Sequence, residues 1–282
     1  MHKILLVGAL QSGKTTTATA IMGYHLTQKG IIPNFSVRAA DGSAFITYDK
    51  EQNIGIEFDI ESIDSEFTNW LSRNIYPEII NIRFAEELKR TSMDLFGLPH
   101  ESIYGTNEQK NEKIHIKTID IMRLINGLFM DDITAERYEI LNYNHFYERI
   151  KKNRNDKLSG REFMQLFGSE ICRTIFDDCH INSAINKAKK YNSNIAIITD
   201  GRFDNEVRAI KELEDCTIIK LLRTINNKVT HSSETAAAGI DDKEYDLIVP
   251  ENMEIHERND FVINFLIERG VLNKMDIKKK NE

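Results

Sequence analysis

The first clear pattern along the chain is an unbroken apolar run, Ile4-Leu5-Leu6-Val7, entered from Lys3 and closed by Gly8. An apolar run without alternation, bounded by glycine, predicts a strand over 3–8 that is buried on both faces, the habit of a parallel sheet. Residues 15–29 then carry helical spacing through Ala18, Ile21, Met22, His25 and Leu26, and Gly30 with Pro33 beyond it is a stop signal. Four more short apolar runs predict strands near 79–84, 195–200, 217–222 and 246–249, the last closed by Pro250. Between them, helical spacing covers 66–75, 85–96, 160–171, 181–191, 206–213 and 260–272. Two stretches break this alternation. Residues 34–62 hold β-like runs at 45–48 and 54–58 around a turn-prone Lys50-Glu51-Gln52-Asn53, which predicts an inserted hairpin. Residues 103–155 are polar, with a helical stretch near 119–129, and suit a lid-like segment. The expected architecture is α/β: one domain over 1–273 with a mainly parallel five-stranded sheet and helices on both faces, insertions at about 34–62 and 112–158, and a polar tail over 274–282.

Composition narrows the partners. With 282 residues, 41% hydrophobic and 29% charged, the chain has ordinary globular usage. The 37 Lys and Arg against 44 Asp and Glu leave a net charge of −7, so there is no global attraction for nucleic acid or an anionic membrane, and an anionic ligand must be held locally. Cys172, Cys179 and Cys216 are widely spaced and form no C-x-x-C pair, so no disulfide framework or zinc site is expected and a reducing cytoplasm is the expected compartment. The apolar run behind Lys3 is too short for a signal peptide, and no stretch approaches the roughly 20 apolar residues of a membrane span.

The chemistry begins where the first strand meets the first helix. Gly8-Ala9-Leu10-Gln11-Ser12-Gly13-Lys14-Thr15 matches G-x-x-x-x-G-K-[ST] in the strand-to-helix setting that the pattern requires. The glycines let the backbone curl so that successive N–H groups face a phosphate, and the helix N-terminus adds its positive dipole. Lys14 then reaches the terminal phosphates and Thr15 offers a hydroxyl to Mg²⁺. Gly8, Ala9, Gln11, Ser12, Gly13, Lys14, Thr15 and Thr16 are the expected nucleoside triphosphate contacts.

This cradle is shared by switches, motors and kinases, so other residues must discriminate. Asp200 ends an apolar run, where a carboxylate faces the ligand crevice of a doubly wound sheet and can hold Mg²⁺ or accept a proton; its plainer role is a helix cap or turn. Arg202 follows two residues later and either meets phosphate or pairs with Glu206. Arg161 and Gln165, spaced i and i+4, share a helix face opposite Phe163, Leu166 and Phe167. A guanidinium suits phosphate and an amide suits a base edge, while the bland alternative is a solvated polar face.

In order and spacing these pieces resemble the deoxynucleoside monophosphate kinases of tailed bacteriophages, within the wider P-loop nucleoside monophosphate kinase group. The likeness runs over most of the chain: the phosphate loop, Phe84-Ala85-Glu86-Glu87-Leu88-Lys89, Leu95-Phe96-Gly97-Leu98, Tyr104 to Asn111, Gly160 to Arg173, Asp200 to Glu206, and Leu222-Arg223 followed by His231 to Thr235. The chain departs from the family's habit at Asp204, where proline is more usual, and at Asp178-Cys179-His180, where a Trp is common. The resemblance implies a P-loop kinase fold and transfer of the γ-phosphoryl of ATP to a deoxynucleoside 5′-monophosphate, with Mg²⁺ on the donor phosphates. It implies Thr15 and Asp200 at the metal, and Arg161, Arg173 and Arg202 on the acceptor phosphate and transferring group. Gln165 then reads the base, Lys89 either faces the acceptor or ends its helix, and Arg223 either lies on the adenine or pairs with Glu234. A homodimer and a host-cell cytoplasmic location are further implications, without nucleic acid or membrane partners. The competing classes are a partition or packaging ATPase and a catalytically silent nucleotide-binding protein. Against the partition type, Ala9 stands where an extra lysine is usual; against a motor, Gly201 follows Asp200 where a second carboxylate is usual.

Overall fold

A computed structural model describes residues 1–9, 12–49, 54–58, 65–121, 155–222 and 240–275. They separate into two compact units, Met1–Phe84 with Ile181–Glu282, and Ala85–His180.

The first unit is built on five parallel strands, β1 (His2–Val7), β5 (Ile79–Ile82), β8 (Ile195–Gly201), β9 (Cys216–Leu221) and β10 (Leu247–Val249), in the order β10-β9-β1-β8-β5. These are the five runs read from sequence, with ends moved by one or two residues. The unbroken apolar runs have their reason in the layers. Ile4 and Leu6 point to one face, under α1 (Lys14–Gln28) and the last helix α10 (Ile255–Glu268), with Ile21, Met22, Leu26, Val262 and Leu266. Leu5 and Val7 point to the other, beneath α8 (Cys179–Tyr191) and α9 (Asp204–Lys211), with Ala184, Ile185, Val207 and Ile210. Both faces of β1 are therefore dry, and a polar residue on either would be buried.

The expected hairpin gains a third strand. β2 (Phe35–Val37), β3 (Ala44–Asp49) and β4 (Ile54–Glu57) form an antiparallel sheet in that order, and α2 (Ser65–Asn74) follows it. Phe35 presses on α1 at Gly23, where a Cβ would collide with its ring, and Phe58 sits edge-on to Phe35 at 6.0 Å. Three residues are too few for alternation to show, which is why β2 was not legible in the sequence.

The second unit contains α3 (Glu86–Phe96), α4 (His100–Tyr104), α5 (Asn107–Asn111), the antiparallel pair β6 (Lys113–Lys117) and β7 (Lys157–Ser159), α6 (Gly160–Gln165) and α7 (Arg173–Ile175). Its core joins Leu98, Ile103, Ile114, Ile116, Leu158, Phe163 and Ile171. Strict alternation in Lys113–Lys117, buried at Ile114 and Ile116, marks a half-covered strand inside the stretch read as lid-like. The helix expected over 160–171 changes character: it is α-helical only to Gln165 and continues as a π-helix over Leu166–Cys172. The helix expected from Asp260 begins five residues earlier, at Ile255, where the Glu257 carboxylate accepts from the Glu254 N–H at 3.4 Å. Of the helical stretch near 119–129, only 118–121 is described, and it is helical. No helix among the described residues is long and apolar enough to cross a membrane.

Candidate active site

The phosphate loop leaves β1 at Gly8 and enters α1 through Gly13. Gly13 is left-handed, at φ 89° and ψ 14°, a conformation that costs an L-residue energy and glycine little. A Cβ at Gly8 would come within 2.6 Å of both the Leu221 carbonyl and Ser12 Oγ, so the loop closes only without side chains there. The Ser12 N–H donates to the Ala9 carbonyl at 3.2 Å and the Thr17 N–H to the Gly13 carbonyl at 2.9 Å, which ties the loop to the first helical turn.

Lys14, only 9% exposed, folds back on this loop: its Nζ donates to the Gly8 carbonyl at 2.7 Å, the Ala9 carbonyl at 2.6 Å and Ser12 Oγ at 3.3 Å. Burial, helped by the nearby Arg202 charge and opposed by Asp200, brings Lys14 down to about 8. An ammonium short of negative charge is what a polyphosphate would relieve. Thr15 is exposed at the start of α1.

Parallel pairing of β1 with β8, in register at Val7 and Gly201, puts Asp200 and Arg202 at the same sheet edge as the loop. Asp200 is neither a helix cap nor a turn residue: its Oδ1 accepts from the Phe84 N–H at 2.7 Å, joining the ends of β8 and β5. The suspected Arg202–Glu206 ion pair is replaced by a backbone arrangement. Glu206, 2% exposed, accepts from the N–H groups of Arg202 at 2.8 Å and Phe203 at 3.0 Å, which caps α9 and leaves the half-buried guanidinium to act on Lys14. No group of three or more His, Cys, Asp or Glu among the described residues could cage a metal ion. One hydroxyl and one carboxylate, Thr15 and Asp200, fit a Mg²⁺ that keeps several waters and takes its remaining ligands from phosphates.

Lys14 gives the site a pH signature. Bound phosphate favours the ammonium, so affinity for ADP is expected to be level below pH 8 and to fall by up to about ten-fold per pH unit above it. Calorimetric titration from pH 7 to 9.5 checks this; a flat profile removes Lys14 from the phosphates. Free of ligand, the folded protein holds fewer protons than the unfolded chain between about 8 and the ordinary lysine value of 10.5, so Lys14 makes stability rise with pH across that window.

The remaining candidates lie in the second unit. Arg161 donates from Nη2 to Asn107 Oδ1 at 2.7 Å, and its Nε is buried with no hydrogen-bond partner. Gln165, one turn on, is half-buried on the same helix, and the Arg161–Asn107 bond beside it is exposed. Lys89 places Nζ 4.6 Å from the centre of the Tyr104 ring. Arg173 opens α7, directly after the π-helix, whose Gly168 takes Leu88 so closely that a Cβ would stand 2.5 Å from Leu88 Cδ2. Gln11, Arg223, His231 and Glu234 lie outside the described residues.

Two neighbours of the loop escaped sequence reasoning. Gly42, between β2 and β3, lies against Thr16, with a Cβ there meeting Thr16 Oγ1 at 2.8 Å. Arg258, in the first turn of α10, stands over Gly13. Neither belongs to a motif; only the packing of the antiparallel sheet and of α10 on α1 brings them in.

A search of curated proteins finds no match to the chain. The family model described as deoxynucleotide monophosphate kinase matches residues 3–260, which span the phosphate loop, the sheet and both units. With that match across nearly its whole length, the chain belongs to the deoxynucleotide monophosphate kinase family.

Proposed function

We propose that the protein transfers the γ-phosphoryl group of ATP to a deoxynucleoside 5′-monophosphate, giving the diphosphate and ADP. The observation that carries this reading is the cluster at the sheet edge. A buried, electrostatically strained Lys14 stands in a glycine cradle beside Asp200 and Arg202, in a chain of a kinase family. In the transfer, an oxygen of the acceptor phosphate bonds to the γ-phosphorus as the bond to the β,γ-bridging oxygen breaks, and ADP leaves with that electron pair. Such a reaction asks for alignment and neutralisation more than covalent help. Lys14 and the loop amides hold the donor phosphates and neutralise charge that grows on the bridging oxygen. Thr15 and Asp200 would hold Mg²⁺, which screens charge between donor and acceptor when bound. Arg202 stabilises the transferring group, and Arg161 and Arg173 clamp the acceptor phosphate, with Gln165 on its base and Lys89 beside it. Arg223 lies on the donor adenine in this reading. The kinase forms one domain over 1–273 with its two insertions, works in the cytoplasm and assembles as a homodimer.

The unpartnered Nε of Arg161 favours an anion on the second unit, which a partition or packaging ATPase would not need. The test is ADP formation with each common ribo- and deoxyribonucleoside monophosphate. A kinase releases ADP only with an acceptor and makes the diphosphate in equal amount; ADP formed without one identifies an ATPase, and none under any condition a silent binder. In the same assay Arg161→Ala is expected to raise KM for the monophosphate roughly ten- to hundred-fold with KM for ATP nearly unchanged, and Arg161→Lys to recover part of it, because an ammonium lacks the bidentate fork. A change in KM for ATP instead would remove Arg161 from the acceptor.

A further inference from the structure

We propose that Arg258 is a further phosphate-binding residue of the donor site, reaching the loop from the C-terminal helix. The position is fixed by packing. α10 lies along α1, and Thr17 Oγ1 donates to the neighbouring Asn259 Oδ1 at 3.3 Å, in a buried contact one turn beyond Gly13. That contact sets the Arg258 guanidinium directly over Gly13, with Cζ only 2.5 Å from where a Cβ would stand. Glycine is required at this point for its left-handed backbone, and the guanidinium fills the room that its missing Cβ leaves.

The guanidinium is half-buried, its Nε has no hydrogen-bond partner, and among the described residues no carboxylate pairs with it. Glu257 is turned to its own helix's N-terminus, accepting from the Glu254 N–H. Burial lowers the proton affinity of Arg258, with no acidic group among the described residues offsetting it. A lysine in such a place can shed its proton, but arginine stays charged, so the cost of a desolvated, unpaired guanidinium stands until an anion arrives. At Gly13 that anion is a phosphate, because the loop N–H groups and Lys14 converge on the same ligand. A planar fork of N–H donors matches phosphate oxygens two at a time. With Lys14, Arg202 and Arg258 set around one loop, this edge of the sheet is locally cationic in a chain whose net charge is −7.

The inference rests on the proposed donor site, so its test separates the two. ADP, inorganic tripolyphosphate and adenosine are titrated against the full-length protein, Lys14→Ala, Arg258→Met and Arg258→Lys, with a melting temperature for each. Methionine fills similar volume over Gly13 without charge. Arg258→Met is expected to weaken ADP and tripolyphosphate roughly ten- to hundred-fold, leave adenosine unchanged and melt close to wild type, and Arg258→Lys to recover part of the affinity. Wild-type affinity for both polyphosphates in Arg258→Met overturns the proposal and leaves the phosphate loop standing. A lowered melting temperature with unchanged affinity overturns it in favour of a structural prop. Failure of the unmutated protein to bind either polyphosphate removes the donor site and this proposal together.

Discussion

Replacing Lys14 by alanine is expected to cut phosphoryl-transfer turnover by about a thousand-fold or more while the protein stays folded. Lys14 donates to the Gly8 and Ala9 carbonyls, so it is held inside the loop and needs only to exchange those acceptors for phosphate oxygens. That arrangement is preorganised: the charge is already desolvated, and little rearrangement is needed when negative charge grows on the leaving ADP. Alanine leaves the loop amides and α1 in place, which keeps some nucleotide affinity but removes the cation at the bond that breaks. The two carbonyls face water or the small void after the change, so only a modest loss of stability accompanies it. Single-turnover kinetics with ATP and a monophosphate measure the effect, and full activity in a folded Lys14→Ala protein would remove the loop from the chemistry.

The second large effect is expected at Asp200. Asparagine keeps an oxygen that can accept from the Phe84 N–H, so the tie between β8 and β5 survives and the melting temperature should stay near wild type. The charge is lost, and with it the attraction for Mg²⁺ or an acceptor proton, so kcat is expected to fall by about a hundred- to a thousand-fold. Asp200 also supports the charged form of Lys14, so Asp200→Asn should move the break in the pH profile of ADP affinity to lower pH. Asp200→Ala separates the two duties of this carboxylate. It loses the acceptor too, leaves the Phe84 N–H orphaned, and should cost about 1–3 kcal/mol of stability in denaturant titrations where Asp200→Asn costs little. Normal turnover in Asp200→Asn would leave Asp200 as a structural tie alone.

The sequence by itself determined the five strands of the sheet, because each is buried on both faces and so must read as an unbroken apolar run, and it determined the phosphate loop, because loop, dipole and lysine are local in the chain. It placed Asp200 and Arg202 at a strand end, and the β1–β8 register brings that end beside the phosphate loop. Local patterns did not determine that Glu206 accepts from the N–H groups of Arg202 and Phe203 rather than from the Arg202 guanidinium. Nor did helical periodicity reveal the π-helix after Gln165, since widening the turn leaves the order of apolar residues intact. Tertiary structure alone decided the bond from the Phe84 N–H to Asp200 and the approach of Arg258 to Gly13, because partners 116 residues apart in one case, and on α1 and α10 in the other, leave no periodic trace in sequence. A contact made by packing becomes legible only once the layers are assembled.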